Sequence, residues 1–465
     1  MKKLIVSILL FMINYSILLA THNRAGSMTY RQLSGLTYEI SIITYTGLIG
    51  GNAPSLDVDW GDGVIETVYR TSYSILQGMA IQKNIYTYTH TYQSYDNYTI
   101  SIQDPNRNDA ILNINNGTSI NIPFYLESTL FLSNGGYNNS AEYLTVPILE
   151  AEAGKPFRYS LAAMDMDGDI LTYELVTPKS AIGLDVPNYF IPDTTSLYYL
   201  NGELQWATPQ NIGAYTFAIK VKEYRNNILV GTTLVDFQLN VVPPVNGAEF
   251  VGNTSWLVDA NHHYSYQLSP FDTLQLSLLY RDTIATTIDL EAYSETLMNG
   301  NQATFIQTQT GTSFIAKEYT WIPNTTHARC APYLLTFRGH STTNQIISKD
   351  LTVMIWVRDS SLAYCEGLIN QLNIPIHQIE SPLEELLIHV YPNPFTDKTT
   401  IAIENRRENE EVTFQLFDVL GNQIFYDQIN GETYTLRRNR LVAGLYFYRI
   451  EDALGNSKVG KIRIN

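Results

Sequence analysis

The sequence contains little cysteine and little positive charge. It has two cysteines, Cys330 and Cys365, in 465 residues, and its 29 Lys and Arg stand against 45 Asp and Glu, for a formal net charge of −16. The acidic excess lies before residue 388, because the last 78 residues hold ten basic and ten acidic side chains. Such a surface repels nucleic acid and anionic membranes and favours divalent cations. We therefore exclude nucleic acid as a partner.

The motifs of the commonest hydrolytic centres are also missing. None of the eight histidines is followed by Glu, which excludes the His-Glu-x-x-His zinc motif, and the Gly-x-Ser-x-Gly nucleophile elbow does not occur. The two cysteines are better explained as partners of each other than as nucleophiles. Carboxylate pairs of the glycosidase kind stay open, because their members can lie far apart in the chain. The sequence predicts no catalytic residues and a protein that is not an enzyme.

Long apolar runs are absent except near the N-terminus. Lys2 and Lys3 precede an apolar run at residues 4–19 and the small residue Ala20, which is the pattern of a secretory signal peptide over residues 1–20. A membrane anchor is the alternative, but the run falls short of the roughly 20 clean apolar residues that a spanning helix needs. In an exported chain, a disulfide between Cys330 and Cys365 is favoured over two free thiols.

Helix-favouring residues are sparse, whereas 33 Tyr occur among abundant Thr, Ile and Val. Apolar and polar residues alternate in many short runs bounded by Gly, Asn and Asp, which is typical of strands. In "SLDVDWGDGVIETV", Leu56, Val58 and Trp60 lie on one strand face, and Trp60 is expected in the core. The pattern predicts an all-β protein.

The stretch "WGDG" at residues 60–63, followed by "HTYQSYDNYTISI" at residues 90–102, resembles polycystic-kidney-disease-type (PKD) modules. That family consists of small immunoglobulin-like sandwiches, and His90 is expected to make a structural hydrogen bond there. The opening "HNRAGSMTY" resembles the mature N-terminus of large surface proteins from gliding bacteria that use type IX secretion. We expect a PKD-like β-sandwich over residues 21–141.

Three aspartates crowd one short turn. "DMDGDILTY" places Asp165, Asp167 and Asp169 within five positions, where they repel one another unless they face solvent or hold a cation. Calcium takes about six to eight oxygen ligands, so alternating carboxylates suit it. An EF-hand is excluded, because positions six and twelve counted from Asp165 are Ile170 and Val176 instead of Gly and Glu.

The same stretch resembles the inter-strand calcium loop of cadherin-like domains. The resemblance implies a further acidic ligand near the domain start, either Glu150 or Glu152, and another at the end of the last strand, where Glu223 replaces the more usual Asp. It predicts calcium as the cofactor, and the residues expected to hold it are Asp165, Asp167, Asp169, Glu223 and Glu152. The alternative is a hairpin turn with a solvated acidic rim.

A weak internal repeat relates residues 142–242 to residues 243–358. "LQWATPQNIGAYTFAI" around Trp206 corresponds to "YTWIPNTTHARCAPYLLTF" around Trp321, so we expect a cadherin-like domain followed by a second cadherin/Ig-like domain. In place of the triplet, the second copy has Asp282, Ile284 and Thr286. We expect no comparable metal site there. Residues 359–387, which contain Pro375, Pro382 and the acidic pair Glu384 and Glu385, are interpreted as a linker.

Residues 388–465 carry several spaced elements in a fixed order. "VYPNPFTDKTTIAIEN", "FQLFDVLGNQIF" and "LVAGLYFYRIEDALGNSKVGKIRIN" are short alternating strands with Gly-Asn turns. The segment resembles the C-terminal sorting domain of type IX (Por secretion system) cargo, in its cleaved type A form. The matching residues are Tyr391, Pro392, Asn393, Pro394, Asp418, Gly421, Gly444, Tyr446, Lys458, Gly460 and Lys461.

These resemblances together imply tandem immunoglobulin-like/cadherin-like β-sandwiches followed by a small C-terminal β-sandwich. They imply export through the periplasm to the outer cell surface or the medium by the type IX secretion machinery, with attachment to surface lipopolysaccharide or release. We expect a non-catalytic, calcium-binding protein of adhesion or structure, with glycans or other surface proteins as partners and gliding motility as one context. The alternative is a carbohydrate-binding surface protein or an accessory module of polysaccharide degradation, for which "NYFIPDTTSLYYLNG" at residues 188–202 offers stacking tyrosines.

Overall fold

A computed structural model gives the fold of most of the chain. It describes residues 23–48, 53–76, 79–132, 137–147, 149–244, 247–251, 264–282, 284, 287–298, 300, 302–341, 347–359, 362, 365, 387–404, 412–418, 423–429, 431, 433–439, 441–452 and 457–465. The expected signal peptide and most of the expected linker lie outside these residues. In the described part of the chain, no helix has the length and apolar character needed to cross a membrane.

Nearly all regular structure in the described residues is β-strand, so the all-β prediction is confirmed. Short 3-10 turns add little; they include Asn115–Gly117, Glu295–Leu297 and Thr325–His327. Alternation places the expected residues inside, since Leu56, Val58 and Trp60 are all buried. The chain divides into two compact units, one of residues 1–250, 268–276 and 280–374, the other of residues 251–267, 277–279 and 375–465.

The first region, residues 21–141, contains eight strands. They are β1 (Asn23–Ser34), β2 (Thr37–Gly47), β3 (Ser55–Asp59), β4 (Ile65–Tyr69), β5 (Ser72–Leu76), β6 (Ile81–Thr91), β7 (Asn97–Asp104) and β8 (Phe124–Phe131). Strands β1 and β2 form an antiparallel hairpin around Gly35, whose φ of 52° is the left-handed conformation that glycine adopts without strain. One core, which includes Trp60, Tyr86 and Phe124, fills this region.

The second region, residues 142–242, supplies eleven strands. They are β9 (Glu142–Tyr143), β10 (Leu149–Glu152), β11 (Phe157–Tyr159), β12 (Ala163–Met164), β13 (Ile170–Val176), β14 (Lys179–Ala181), β15 (Leu184–Asp185), β16 (Thr195–Leu197), β17 (Leu204–Trp206), β18 (Gly213–Arg225) and β19 (Ile228–Val242). Strands β18 and β19 form a long antiparallel hairpin, and β13 pairs with the other edge of β18.

Strand β19 also belongs to the sheet of the first region. It lies between β8 and β1 in the order β4-β3-β7-β8-β19-β1-β2-β6-β5. Strands from before and after residue 141 therefore belong to one hydrogen-bonded sheet of twelve strands. A buried ion pair reinforces the seam, because Arg107 Nη1 and Nη2 donate to the two carboxylate oxygens of Asp236 in β19 at 2.8 and 2.5 Å. The domain limits at residues 141 and 142 stay a prediction, and the sheet shows no break there.

The third region, residues 243–358, contributes two four-stranded sheets, β20-β22-β25-β24 and β21-β27-β26-β23. Its strands are β20 (Ala248–Phe250), β21 (Tyr264–Leu268), β22 (Leu274–Asp282), β23 (Ile288–Tyr293), β24 (Thr304–Thr310), β25 (Phe314–Trp321), β26 (Tyr333–Ser341) and β27 (Ser348–Val357). The tryptophans aligned by the internal repeat are equivalent in packing. Trp206 meets Tyr215, and Trp321 meets Tyr333, each edge to face at 4.9 Å.

Cys330 and Cys365 form a disulfide, with their Cα atoms 5.2 Å apart. Cys330 precedes β26 and Cys365 follows β27, so the bond joins the chain on either side of this hairpin. Cys365 is fully buried. The disulfide ties the segment that leaves the third region back to that region.

The tail, residues 388–465, forms two small sheets, β28-β29-β32 and β31-β30-β33-β34. Its strands are β28 (Leu387–Tyr391), β29 (Lys398–Glu404), β30 (Val412–Phe417), β31 (Gln423–Ile429), β32 (Thr433–Arg437), β33 (Gly444–Asp452) and β34 (Ser457–Ile464). The two sheets share one apolar core, which includes Ile401, Phe414, Ile450 and Ile462. This packing agrees with the small C-terminal β-sandwich expected from the sequence.

Candidate metal centre

The aspartate triplet forms the turn between β12 and β13. Gly168 has a φ of 78°, which lets the chain reverse without strain. Asp165 Oδ1 accepts hydrogen bonds from the backbone N–H groups of Asp167 at 2.9 Å and Asp169 at 3.0 Å. These bonds draw the turn around the Asp165 carboxylate, and they are the local interactions that short acidic side chains make in turns.

The turn brings the three carboxylates together. One oxygen of each of Asp165, Asp167 and Asp169 lies within 4.8 Å of the others, and Asp165 and Asp169 are buried. Glu223 approaches from β18 and is completely buried. Burial and the charge of Asp165 raise the pKa of Glu223, and burial and the charge of Glu223 raise the pKa of the Tyr30 hydroxyl.

Glu223 is held in place by the segment of residues 137–141, which we call the strap. Asn138 Nδ2 donates to Glu223 Oε2 and the backbone N–H of Ala141 donates to Oε1, both at 2.9 Å. The strap is in turn fixed to β1, because the backbone N–H of Tyr30 donates to Ser140 Oγ at 2.8 Å. The strap therefore connects the first region to the acidic cluster.

One guanidinium faces the cluster. Arg225 Nε and Nη2 donate to the two oxygens of Asp169 at 2.8 and 2.5 Å, and Nη2 also reaches Asp167 Oδ2 at 3.2 Å. Asp167 accepts two further bonds from Asn139, through the backbone N–H at 2.7 Å and Nδ2 at 2.8 Å. Among the described residues, Arg225 is the positive side chain paired with these carboxylates, and it bonds to Asp167 and Asp169 but not to Asp165 or Glu223. Negative charge is therefore in excess in this buried cluster.

Asp165 carries that surplus most directly. Its Oδ2 atom is buried and has no hydrogen-bond partner among the described residues. Burial, with the charges of Asp169 and Asp167 adding to it, raises the pKa of Asp165 to about 7. Burial and the Asp165 charge raise the pKa of Glu223 to about 8. Without a cation, these groups avoid part of the repulsion by holding protons.

A small gap opens beside the cluster toward the third region. It measures about 10 Å³ and is lined by Asp165 and Asp169 on one side and by Glu295 and Arg329 on the other. A single water-sized particle requires about 10–15 Å³ of such space. Arg329 is already paired with Glu295 and lies 3.8 Å from the ring centre of Tyr333, so its charge is satisfied away from the aspartates.

Glu152, which the sequence placed in the ligand set, is not part of this group. It is buried and pairs with Lys349 of the third region at 3.0 Å and with Lys155 at 3.4 Å. Burial raises the pKa of Glu150, the other candidate, and the nearby charge of Arg24 partly opposes that rise. Two lysines therefore engage the carboxylate that the family resemblance assigned to calcium.

Sequence reasoning missed four residues of the cluster. Asn138 and Asn139 lie in the strap, and Arg225 lies two positions beyond Glu223 on the same face of β18. Gly231 of β19 lies opposite Glu223. The adjacent asparagines before a strand were a visible signal for a polar strap, whereas the contacts themselves depend on pairing that the sequence does not display.

In the third region, the turn equivalent to the aspartate triplet has one carboxylate, that of Asp282. Asp282 is buried and its Oδ1 accepts from the backbone N–H of Ile284 at 2.9 Å, which parallels the Asp165 turn, and Thr286 lies outside the described residues. A different group, Asp289, Glu291 and His340, brings three possible ligand atoms within 4.8 Å of one another on β23 and β26.

His90 makes the structural hydrogen bond expected from the sequence. Its Nε2 lies 2.8 Å from Asp62 Oδ2, and its ring stacks on Trp60 with centroids 4.7 Å apart. Trp60 Nε1 donates to Glu66 at 2.8 Å. These contacts fasten the Gly-Asp-Gly turn to β6.

The three tyrosines of the tyrosine-rich loop at residues 188–202 are partly buried. The Tyr189 hydroxyl is buried, and Tyr198 and Tyr199 pack edge to face at 5.5 Å. Phe190 and Ile191 of the same loop are exposed. No tyrosine of the loop therefore presents a fully exposed ring for stacking on a sugar.

In the tail, the residues that carry the sorting resemblance lie near one edge of the sandwich. Asn393 Nδ2 donates to the Lys461 carbonyl at 2.8 Å, and its Oδ1 accepts from the Arg463 N–H at 2.9 Å. Tyr446 donates to the Val442 carbonyl at 2.8 Å. Gly460 lies opposite Tyr448 in the β33–β34 pair. Gly421 falls outside the described residues, and the side chain of Lys458 is not described.

Comparison with known proteins supports the assignment of the tail as a sorting domain. Residues 389–465 match the family "Secretion system C-terminal sorting domain". An endo-acting ulvan lyase of Formosa agariphila is 36% identical over 70 residues, which is 15% of this chain and 13% of that protein. The chain therefore spans about an eighth of the length of this relative.

Solved structures with tandem immunoglobulin domains resemble the chain at low identity. The I67–I69 fragment of titin is 9% identical, with a TM-score of 0.17, over 73% of this chain and 100% of the fragment. An eight-Ig-domain structure of the Down Syndrome Cell Adhesion Molecule is 9% identical, with a TM-score of 0.18, over 95% of this chain and 49% of that structure. The tail is the part that a family match identifies: residues 389–465 are a secretion system C-terminal sorting domain, and the chain is type IX secretion cargo destined for the cell surface or the extracellular space.

Proposed function

We propose that this protein is a non-catalytic surface or secreted protein whose β-sandwiches bind calcium at Asp165, Asp167 and Asp169 and serve adhesion or structure outside the cell. The observation that carries the proposal is the buried Asp165 Oδ2, which lacks a partner among the described residues while it faces a cluster with surplus negative charge. A divalent cation removes both defects at once, since it supplies charge and coordinates the free oxygen.

Calcium suits this donor set better than the other common divalent ions. All the groups are carboxylate oxygens, which are hard ligands, and both cysteines of the chain are joined in a disulfide. Magnesium requires a regular octahedron and usually keeps several waters, whereas calcium accepts irregular oxygen sets. Glu223, behind the triplet, can contribute through its field even where it does not touch the ion.

The location gives calcium a mechanical role. The turn is bonded to the strap through Asn139, to β18 through Arg225, and lies close to Arg329 of the third region, with 3.8 Å between Arg329 Cδ and the place of a Cβ at Gly168. An ion here tightens elements of all three regions. We infer that calcium stiffens the exported protein, with an affinity of about 10⁻⁴ to 10⁻³ M as in other extracellular modules.

Calorimetric titration of the secreted chain with calcium tests the proposal. The parent is expected to bind one ion at the triplet, and Asp165→Asn and Asp167→Asn are expected to weaken that binding at least tenfold. Asp193→Asn, at an exposed aspartate of the same region, is the matched control and is expected to bind like the parent. Binding by Asp167→Asn that equals the parent would sink the proposal.

The structural role is tested separately with a glycan array. If the β-sandwiches serve adhesion or structure through calcium, no sugar is recognised at the aspartate triplet, and the array result is expected to be the same with and without calcium. The alternative of a carbohydrate-binding protein gains limited support from the tyrosine-rich loop, because its three tyrosines are partly buried.

A further inference from the structure

A second concave site lies away from the aspartates, on the outer face of the first region's sheet. The cavity measures about 260 Å³. Its floor consists of β1, β2 and β6, and its wall is the chain at residues 142–147. The volume greatly exceeds the roughly 10–15 Å³ that one water needs and approaches the lower end of the roughly 300–1,000 Å³ typical of small-molecule sites.

The floor is polar because of strand alternation. Even-numbered residues such as Met28 and Ile42 point into the core, so odd-numbered residues of the same strands face the cavity. The register pairs Thr29 with Ser41 across β1 and β2, and it pairs Tyr45 with Lys83 across β2 and β6. A row of hydroxyl groups therefore lines this cavity. If the cavity were only part of the core, apolar side chains would be expected at these positions.

The cavity also holds two charged side chains that lack a partner among the described residues. Lys83 on the floor and Glu142 on the wall have no ion pair or side-chain hydrogen bond with any described residue. Burial lowers the pKa of Lys83, because it removes water from the ammonium group. An acidic group on a ligand would supply a compensating anion, and Glu142 would accept hydrogen bonds from ligand hydroxyls.

The rest of the cavity wall offers a ligand an apolar surface whose position is fixed. The ring of Tyr143 is fixed by a hydrogen bond between its hydroxyl and Thr233, and Ile43 lies beside the hydroxyl row. Hydroxyl donors, a flat apolar wall and one cation together match a sugar, which has a hydroxyl edge and a carbon-bound hydrogen face. A polyanion is disfavoured, because the site offers one ammonium group and the chain carries a net charge of −16.

We propose that this cavity binds a single acidic sugar unit, a hexuronate, with its carboxylate on Lys83 and its hydroxyls on Ser41, Thr29 and Glu142. The site is separate from the calcium cluster, so the two proposals stand or fall independently. No bond is made or broken, and the cavity serves recognition.

Binding of glucuronate and glucose to the secreted chain, measured by ligand-observed NMR in the presence of a calcium chelator, tests the proposal. Glucuronate is expected to bind more tightly than glucose. Lys83→Met keeps the aliphatic stem but removes the charge, and it is expected to weaken glucuronate binding about tenfold, the loss typical of a hydrogen bond to a charged group, with little effect on glucose.

Ser41→Val provides a second variant that leaves Lys83 in place and is expected to weaken both sugars. Lys222→Met, which removes a lysine paired with Glu174 on β18, is the matched control. The proposal is overturned if glucuronate does not bind, if both sugars bind equally, or if Lys83→Met binds glucuronate like the control.

Discussion

Glu223 and Gly231 face each other across the β18–β19 pair, and the absence of a side chain at Gly231 makes room for the Glu223 carboxylate. A Cβ at position 231 would overlap Glu223 Oε2 and the Tyr30 hydroxyl. The glycine is therefore required by a close approach of side chains, since its φ is not in the left-handed range. A small residue on one strand allows a buried acid on the next.

Gly231→Ala is expected to displace Glu223 and lower the free energy of unfolding by about 1–3 kcal/mol, as overpacking of a buried site does. Urea unfolding followed by tryptophan fluorescence measures the change. Thr232→Ser, at the next position of β19, is the control and is expected to stay close to the parent. An alanine variant as stable as the parent would show that Glu223 has another place to go.

Arg225→Met is expected to destabilise the calcium-free protein by about 1–2 kcal/mol, because the carboxylates of Asp167 and Asp169 lose the guanidinium that neutralises them. The loss is kept below that of a fully buried pair because the Arg225 side chain is 32% exposed. Calcium is expected to shrink the difference, since the ion replaces the lost charge.

The comparison for Arg225 is Arg31→Met, which breaks the exposed pair with Glu39 and is expected to cost at most about 1 kcal/mol with or without calcium. Chemical denaturation of both variants in chelator and in calcium gives the four values needed. Equal losses for Arg225→Met in the two conditions contradict a shared role of Arg225 and calcium.

The stability of the calcium-free protein is expected to fall as the pH rises from about 5 to about 8. The pKa of Asp165 rises from 3.8 to about 7 on folding and that of Glu223 rises from 4.5 to about 8. The folded state then binds more protons than the unfolded state in this window, so raising the pH favours unfolding.

Thermal unfolding in chelator across this pH range measures that slope. Asp165→Asn is expected to flatten it, because the amide does not titrate. Calcium is expected to stabilise the parent more at pH 8 than at pH 6, since the ion must displace bound protons at the lower pH. A parent that gains stability on going from pH 5 to 8 in chelator refutes the description of the cluster.

Replacing both Cys330 and Cys365 with serine is expected to lower the stability of the third region by about 2–4 kcal/mol. The bond closes a loop with a sequence separation of 35. Denaturant titration with and without reductant provides the measurement: reductant should lower the midpoint of the parent to that of the double variant and leave the double variant unchanged. A reductant effect on the double variant would point to a different cause.

Gly460→Val is expected to prevent the tail from folding, because the Tyr448 ring packs directly over Gly460 and leaves no room for a side chain. The chain is then expected to stay in the periplasm, as is also expected of a variant that lacks residues 388–465. Fractionation and immunoblotting compare it with Val459→Thr, at an exposed neighbouring position, which is expected to reach the surface. Normal export of Gly460→Val would contradict the prediction that sorting requires a folded tail.

The sequence revealed what is encoded locally. Alternation identified the strands, the triplet identified an acidic turn, and the spaced tail residues identified the sorting domain. It did not reveal Asn139 or Arg225 at that turn, because they lie 28 positions from Asp167 and 56 from Asp169 in the chain. Their convergence depends on the pairing of β18 with β13 and on the strap, and a long-range register leaves no mark in composition or period.

The assignment of Glu152 illustrates the limit of family resemblance. The sequence placed an acid where cadherin-like domains hold calcium, but Lys349 of the third region lies within 3.0 Å of it. A lysine that is distant in the chain and close in space turns an expected ligand into half of an ion pair. Only the packing of the two regions decides between these roles.

The position of β19 between β8 and β1 has a consequence for synthesis. As the chain emerges from the ribosome, β1 and β8 are complete long before the strand that begins at Ile228. Until then the backbone groups that pair with β19, at Ala25 and Gly26 of β1 and at residues 128–130 of β8, lack that partner, and such open edges pair readily with strands of other molecules. A nascent or truncated product that stops short of residue 228 is thus the form of this polypeptide most prone to aggregate.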